Sequence, residues 1–361
     1  MTLSIVGLAT SVPIHTMTQD EATDIGTKIC CQTERQGRLL EVLYRRSGVK
    51  KRHTVLPHRI ALSWLGDDDN GSVKTTTTVG PTTAERMQFY AEHAGPLALE
   101  AAEKALQESP LDAADVTHLV TVSSTGFQAP GVEFRLIDEL SMKPTVQRVN
   151  VGFMGCHGAI NGFRVAQGLA LDPEARVLLC AVELCSLHYY FGWDPEKCVA
   201  NALFADGAGA LICQQGDRGF WNLRGTGSCV LPNSSDAMSW TIGDFGFEMT
   251  LSPRVPDIIL EHLRSWLSEW LGTHGVRIED VRSWAIHPGG PRIVATVEEA
   301  LGLGHNDTAT SRAVLSEHGN MSSPTILFIL DRLRGADAPG PCVALGFGPG
   351  LVAEVALFDR G

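Results

Sequence analysis

The sequence predicts an α/β fold made of two similar halves, residues 1–216 and 217–361. Short apolar runs alternate with longer segments whose apolar residues recur at helical spacing. Each half closes on a pair of strands: Ala175–Val182 with Ala200–Cys213, then Cys342–Phe347 with Leu351–Phe358. The 361-residue chain also carries 37 glycines, which suits many tight strand-to-helix turns in one duplicated unit. The duplication lies in the order of elements; no literal sequence repeat accompanies it.

In the first half, Leu3–Ala9 reads as a strand closed by Pro13. Asp20–Tyr44 has helical spacing through Ile25, Ile29, Leu39, Leu40 and Leu43, and ends in a basic cluster of Arg45, Arg46, Lys50, Lys51 and Arg52. In a chain of formal charge −12, that reversal of sign is either a solvated face or a clamp for phosphates. His58–Thr83 is irregular. Its run Asp67-Asp68-Asp69-Asn70-Gly71 lacks the alternating ligands and downstream Glu of a calcium loop, and with Thr75–Thr78 reads as an exposed turn. A long helix starts at Thr82 and ends near Ser109-Pro110. Thr117–Gly126 is a buried strand that ends in hydroxyls, at the kind of strand end where open sheets bind ligands. Pro130–Leu140 is a helix.

Thr145–Val151 reads as a short buried strand. A glycine turn follows, then a helix that begins at Cys156, with Ile160, Phe163, Ala166 and Leu169 as its apolar stripe. Ala175–Val182 is an apolar strand ending at Glu183, and the small residues of Ala205–Ala210 predict close approach of backbones. In the second half, Phe220–Leu231 is strand-like and Val255–Leu271 is an amphipathic helix. Ser283–Ile286 is a buried strand that delivers His287 into a Pro-Gly-Gly-Pro turn. Ile293–Leu301 is helical, and Gly319–Ser323 precedes an apolar helix, Pro324–Leu333.

The composition sets limits. Net negative charge disfavours non-specific nucleic-acid binding. Nine cysteines without a CxxC pair read as reduced, cytosolic thiols rather than a disulfide framework or a zinc site, so no metal is expected. The N-terminus lacks a basic n-region and a long apolar run, and no stretch offers 18 uninterrupted apolar residues for a membrane span.

Three polar residues occupy comparable turns. Cys156 starts a helix, where the dipole and unpaired N–H groups lower a thiol's pKa; the alternative is an ordinary core cysteine. His287 ends a buried strand and can stabilise a thiolate, or it is a satisfied core histidine. Asn320 can donate an N–H to an oxyanion, or it is a simple turn former. Cys, His and Asn in that order also suit a papain-like protease, although no Cys-Gly-Ser-Cys-Trp context surrounds Cys156.

The motifs then become specific. Gly155-Cys156, Ala202–Ala208, Ile286–Pro291, Gly319–Ser323 and Gly346–Gly350 follow one another in order, and over nearly its whole length the chain resembles a type III polyketide synthase of the chalcone synthase family. The resemblance implies a thiolase-like αβαβα layered fold with two pseudo-duplicated halves. It implies acyl-CoA and malonyl-CoA as substrates, no further cofactor, and a cytoplasmic homodimer. Cys156 would accept the acyl group, His287 and Asn320 would hold the malonyl thioester through decarboxylation, and Phe204 would stand against that site as gatekeeper. Ser124, Cys185, His188, Trp240, Met249 and Gly346-Phe347-Gly348-Pro349 would shape the substrate cavity. Arg46, with Arg45 and Lys50, would meet the CoA phosphates. Met249 replaces the family's second gatekeeping phenylalanine, Cys185 and His188 replace plant threonines, and Trp240 stands near an often small position. These departures point away from a coumaroyl starter. Cys185 and the flexible Met249 resemble bacterial members that make alkylpyrones or alkylresorcinols from fatty acyl starters, or naphthalenes from malonyl units alone; because methionine adapts to apolar chains, Met249 favours an aliphatic starter. A ketoacyl synthase of the fatty-acid type and a non-catalytic CoA-binding relative are the rival readings.

Overall fold

The computed structural model describes residues 2–64 and 80–361; the Asp67–Gly71 and Thr75–Thr78 runs lie outside these. The strands are β1 (Leu3–Ser11), β2 (His15–Thr18), β3 (Lys51–Thr54), β4 (His118–Ser123), β5 (Gln147–Gly152), β6 (Arg176–Leu184), β7 (Asp206–Gln215), β8 (Trp221–Val230), β9 (Met238–Gly243), β10 (Gly246–Leu251), β11 (Ser283–Ile286), β12 (Cys342–Gly348) and β13 (Val352–Arg360). Nine of them are linked in the order β11-β12-β13-β8-β1-β7-β6-β4-β5.

The link between β1 and β8 is short, pairing only Leu3–Ile5 with Trp221–Leu223, so the nine strands form two half-sheets. Their topologies repeat. In the first, β1 lies antiparallel to β7, β7 antiparallel to β6, and β6 parallel to β4. In the second, β8 lies antiparallel to β13, β13 antiparallel to β12, and β12 parallel to β11.

Side chains alternate between two cores, as strands covered on both faces require. On β6, Val177, Leu179 and Ala181 face the central core, and Leu178, Cys180 and Val182 face an outer one. On β12, Cys342 and Ala344 face the centre, and Val343, Leu345 and Phe347 face outward. Two helices fill the central layer. Gly158–Leu169 touches strands of both half-sheets, and so does Thr325–Gly335. Thr83–Gln107 covers the first half outside; Val255–Thr273 and Pro291–Leu301 cover the second. The result is five layers, αβαβα. The close backbone approach expected at Ala205–Ala210 is present: a Cβ on Gly209 would stand 2.9 Å from Leu327 of the central helix.

Several expectations need correction. The segment 20–44 is two helices, Gln19–Cys30 and Glu34–Arg46, because Cys31 is extended and Thr33 starts a new helix with a capping box to Gln36. β5 is not buried. It pairs only with β4 and forms the sheet edge, with Gln147, Arg148, Val149 and Asn150 exposed. The strand expected over Ala200–Cys213 begins only at Asp206, because residues 200–203 end the helix Pro195–Leu203, and the structure adds the hairpins β2–β3 and β9–β10 and the helix Ala309–His318. No helix of the described residues is long and apolar enough to cross a membrane.

Candidate active site

Both central helices begin at one place. Gly158–Leu169 follows a short 3-10 turn, Gly155–His157, that carries Cys156. Thr325–Gly335 follows the turn that carries Asn320. His287 leaves the end of β11, and its backbone N–H donates to Leu345 O of β12 at 2.8 Å. Phe204 ends the helix Pro195–Leu203 and forms an isolated parallel bridge with Asn320.

The turns that deliver these groups are conformationally demanding. Phe153 has φ +60° and Gly155 φ +72° ahead of Cys156; Gly319 has φ +74° and Ser322 φ +57° around Asn320. For a non-glycine residue such a backbone costs about 1–3 kcal/mol and persists only where the surroundings impose it. β12 imposes it at the nucleophile turn. A Cβ on Gly155 would stand 2.6 Å from Pro349 Cδ, and one on Gly348 would stand 2.5 Å from His157 Nε2. Gly346, Gly348 and Pro349 thus form the floor under the turn, while Phe347 packs outward into the second core.

Asn320, at 1% exposure, accepts from Ser322 N–H through Oδ1 at 2.8 Å, which leaves its amide N–H groups as donors. The Ser322 and Asn320 side chains lie beside the Cys156 thiol and favour its thiolate. Contrary to the lowering expected at a helix start, burial pushes this thiol up to about 11, against the pull of those two side chains. His287 is 2% exposed and neither ring nitrogen has a hydrogen-bond partner among the described residues. Burial, then the neighbouring His157, push it down to about 3. The resting pair is therefore thiol and imidazole. Burial thus disfavours the thiolate and the imidazolium alike, and each is uncharged at rest.

Behind the nucleophile lies Glu183, the buried end of β6. Its carboxyl accepts from Ser323 Oγ (2.7 Å), Thr125 Oγ1 (2.7 Å) and Ser124 N–H (2.9 Å). Burial raises it to about 7, against these hydrogen bonds. Ser124, expected to line the cavity, is 2% exposed, and its hydroxyl accepts from the Gly155 N–H at 2.8 Å. It holds the nucleophile turn.

Phe204, Cys185, His188, Trp240 and Met249 do share a narrow pocket, with Phe247, Tyr190 and Lys197. Its wall is rigid. His188 Nε2 donates to Thr125 O (2.7 Å), and its Nδ1 accepts from Phe247 N–H (3.0 Å). Burial, the main cause, pushes His188 down to about 3, so it is neutral. Its ring stacks on Phe247 at 4.2 Å. Trp240 Nε1 donates to Ser124 O at 2.7 Å, which turns the indole across the pocket.

The basic cluster splits. Arg45, Arg46 and Lys50 are exposed, with Arg45 and Lys50 in a surface groove that also carries Asp20, Asp24, Glu34 and Glu41. Arg52 is fully buried and donates to Asn201 O (2.7 Å), Ala202 O (2.5 Å) and Phe204 O (3.0 Å). It fixes the approach to Phe204 and cannot meet a phosphate. Glu183, Ser322 and His157 were not singled out in the sequence. The only signals were a carboxylate closing an apolar strand and polar residues beside Asn320 and Cys156.

A thiol, an imidazole and an amide gathered where two repeated halves meet define a condensing enzyme of the thiolase-like fold. The chain belongs to the chalcone and stilbene synthase family, the type III polyketide synthases. The family's N-terminal domain matches residues 2–216 and its C-terminal domain residues 222–360. Over 98% of this chain and 90% of its relative, it is 32% identical to "Alpha-pyrone synthesis polyketide synthase-like Pks18" of Mycobacterium tuberculosis. It is 33% identical to "1,3,6,8-tetrahydroxynaphthalene synthase" of Streptomyces peucetius subsp. caesius, over 98% and 92% of the two chains. The crystal structure of PKS-I from the brown alga Ectocarpus siliculosus superposes with a TM-score of 0.90 at 29% identity, covering 99% of this chain and 98% of that one. This membership replaces the papain-like protease reading.

Proposed function

We propose that this type III polyketide synthase loads an acyl group from CoA onto Cys156, extends it with malonyl-CoA and cyclises the product. The observation that supports this most is the placement of Cys156 and Asn320, with Phe204, at the starts of the two central helices, and of His287 beside His157, the residue that follows Cys156. In loading, the Cys156 proton moves to His287 and the thiolate attacks the thioester carbonyl. The tetrahedral intermediate collapses with release of CoA thiolate, which takes the proton back. Malonyl-CoA then binds with its thioester oxygen toward His287 and the Asn320 amide. Loss of carbon dioxide leaves an enolate whose charge these two donors stabilise. Phe204 keeps the departing carboxylate side dry, which favours neutral carbon dioxide. The enolate carbon attacks the acyl-cysteine and expels the Cys156 thiolate. Exposed Arg45, Arg46 and Lys50 are the candidate contacts for the CoA phosphates.

The pocket favours the shorter of the starters considered. In place of the aliphatic starter that Met249 suggested, the narrowness of the pocket supports this: Trp240, Phe247 and His188 brace one another along its wall, and Met249 pairs with Trp240 across β9–β10. A short acyl or malonyl starter that yields a pyrone or phenolic product fits this wall. The open edge β5, with Met154 and Phe134 exposed near it, suits a homodimer. Mass spectrometry of products from a panel of acyl-CoA starters tests the reading. Products from malonyl-CoA and short starters are expected; exclusive use of long-chain starters contradicts the pocket argument. Turnover with malonyl on acyl carrier protein but not on CoA contradicts the assignment itself.

A further inference from the structure

The residue after the nucleophile, His157, is 2% exposed and built into a buried polar chain. Its Nδ1 is 2.8 Å from Asn161 Oδ1. Asn161 Nδ2 donates to Glu354 Oε1 at 3.1 Å, and Glu354 also accepts from Ser228 Oγ at 2.7 Å and pairs with Arg164. Because the Asn161 amide nitrogen is spent on Glu354, its oxygen faces His157, and His157 Nδ1 must carry the proton. That leaves Nε2 as a bare acceptor. It is buried and unpartnered among the described residues, and lies over Gly348, where no Cβ could fit. His287 stands on the neighbouring strand end, also with unpartnered ring nitrogens, close enough that a charge on His157 bears on it.

A buried acceptor next to a buried base is costly unless the two serve one another. Nucleophile–base pairs ordinarily need a third group to orient the base. Among the described residues no carboxylate pairs with His287; the titratable or charged groups around the two rings are Cys156, Glu183 behind it, and Glu354 and Arg164 beyond Asn161. We propose that His157 is a positioning residue for His287: Asn161 and Glu354 hold it as the neutral Nδ1–H tautomer, and its Nε2 favours the charged form of His287 when the Cys156 proton arrives. In that step the S–H bond breaks, an N–H bond forms on His287, and His157 gains no proton. If His157 were itself protonated, its charge would oppose the transfer, so Cys156 activation fails as His157 titrates on the acid side.

The inference rests on Cys156 and His287 acting as a pair, as proposed above, but its test uses no CoA substrate. The rate of Cys156 alkylation by iodoacetamide is measured against pH in the full chain, wild type, His157→Phe and His157→Gln, with thermal melts as folding controls. His157→Phe is expected to move the apparent thiol pKa up by about one unit, which slows alkylation near neutral pH about tenfold. His157→Gln, which keeps an amide able to meet Asn161 and offer an acceptor, is expected to shift it less, in the same direction. Identical alkylation profiles in folded variants overturn the proposal, even if the melts fall. If His157→Phe does not fold, an unshifted His157→Gln profile overturns it alone. A wild-type enzyme that releases no carbon dioxide from malonyl-CoA would sink the substrate assignment while leaving this result readable.

Discussion

Phe204 and Asn320 are tied to each other through the backbone: Asn320 N–H donates to Leu203 O, and Ala205 N–H donates to Asn320 O, both at 2.9 Å. The two side chains therefore keep their relation whatever either carries. Replacing Asn320 by Ala is expected to leave this bridge and the fold in place. It should cut carbon dioxide release from malonyl-CoA on the order of 10²- to 10³-fold, the usual loss for one oxyanion donor. Normal release by Asn320→Ala would remove Asn320 from its role.

Glu183 makes stability depend on pH. Burial raises its folded pKa to about 7, above the ordinary carboxylate value near 4.5, and Asp206 behaves alike at about 6. Between those values the folded state binds more protons than the unfolded one. The stability these two groups contribute is complete below their ordinary values, 4.5 for Glu183 and 3.8 for Asp206, and is lost as pH rises through about 7 and about 6, by up to about 1.4 kcal/mol per pH unit for each group. Denaturant melts across this window should show Glu183→Gln with a shallower slope than wild type. Equal slopes would contradict the assignment.

Trp240 narrows the pocket, and its indole is fixed by Ser124 O. Trp240→Ala is expected to shift starter preference toward longer acyl-CoA chains, read as a changed ratio of kcat/KM between short and long starters. An unchanged ratio would mean that the chain grows elsewhere.

The arginines divide by burial. Arg46→Ala is expected to raise KM for malonyl-CoA about tenfold with little change in kcat, as loss of one charged hydrogen bond predicts. Arg52→Met should instead lose on the order of 3 kcal/mol of stability, because the carbonyls of Asn201 and Phe204 lose this donor and that of Ala202 keeps only the Gln19 amide. A stable Arg52→Met with raised KM would reverse these roles.

Much of this arrangement is visible in the sequence because it is local. Strand, glycine turn and helix start lie within a few residues at Cys156, and again at Asn320. What escaped notice depends on distant contacts. Arg52 looks like part of a solvated cluster, yet its acceptors lie about 150 residues away. β5 looks like a core strand because Val149 and Val151 are apolar, yet strand pairing leaves it at the edge. Ser124 looks like a ligand contact, but the carbonyl-edge position it shares with cavity residues is used to hold Gly155. The thiol's pKa depends on how deeply two loops bury it, which no helix-start rule contains.

The central claim is that Cys156 carries the growing acyl chain. The direct measurement is the mass of the Cys156 peptide after brief incubation with an acyl-CoA starter, in wild type and Cys156→Ala. An acyl thioester on Cys156 in wild type, and none anywhere in Cys156→Ala, is predicted. An adduct on another cysteine, or acylation that survives Cys156→Ala, would contradict it.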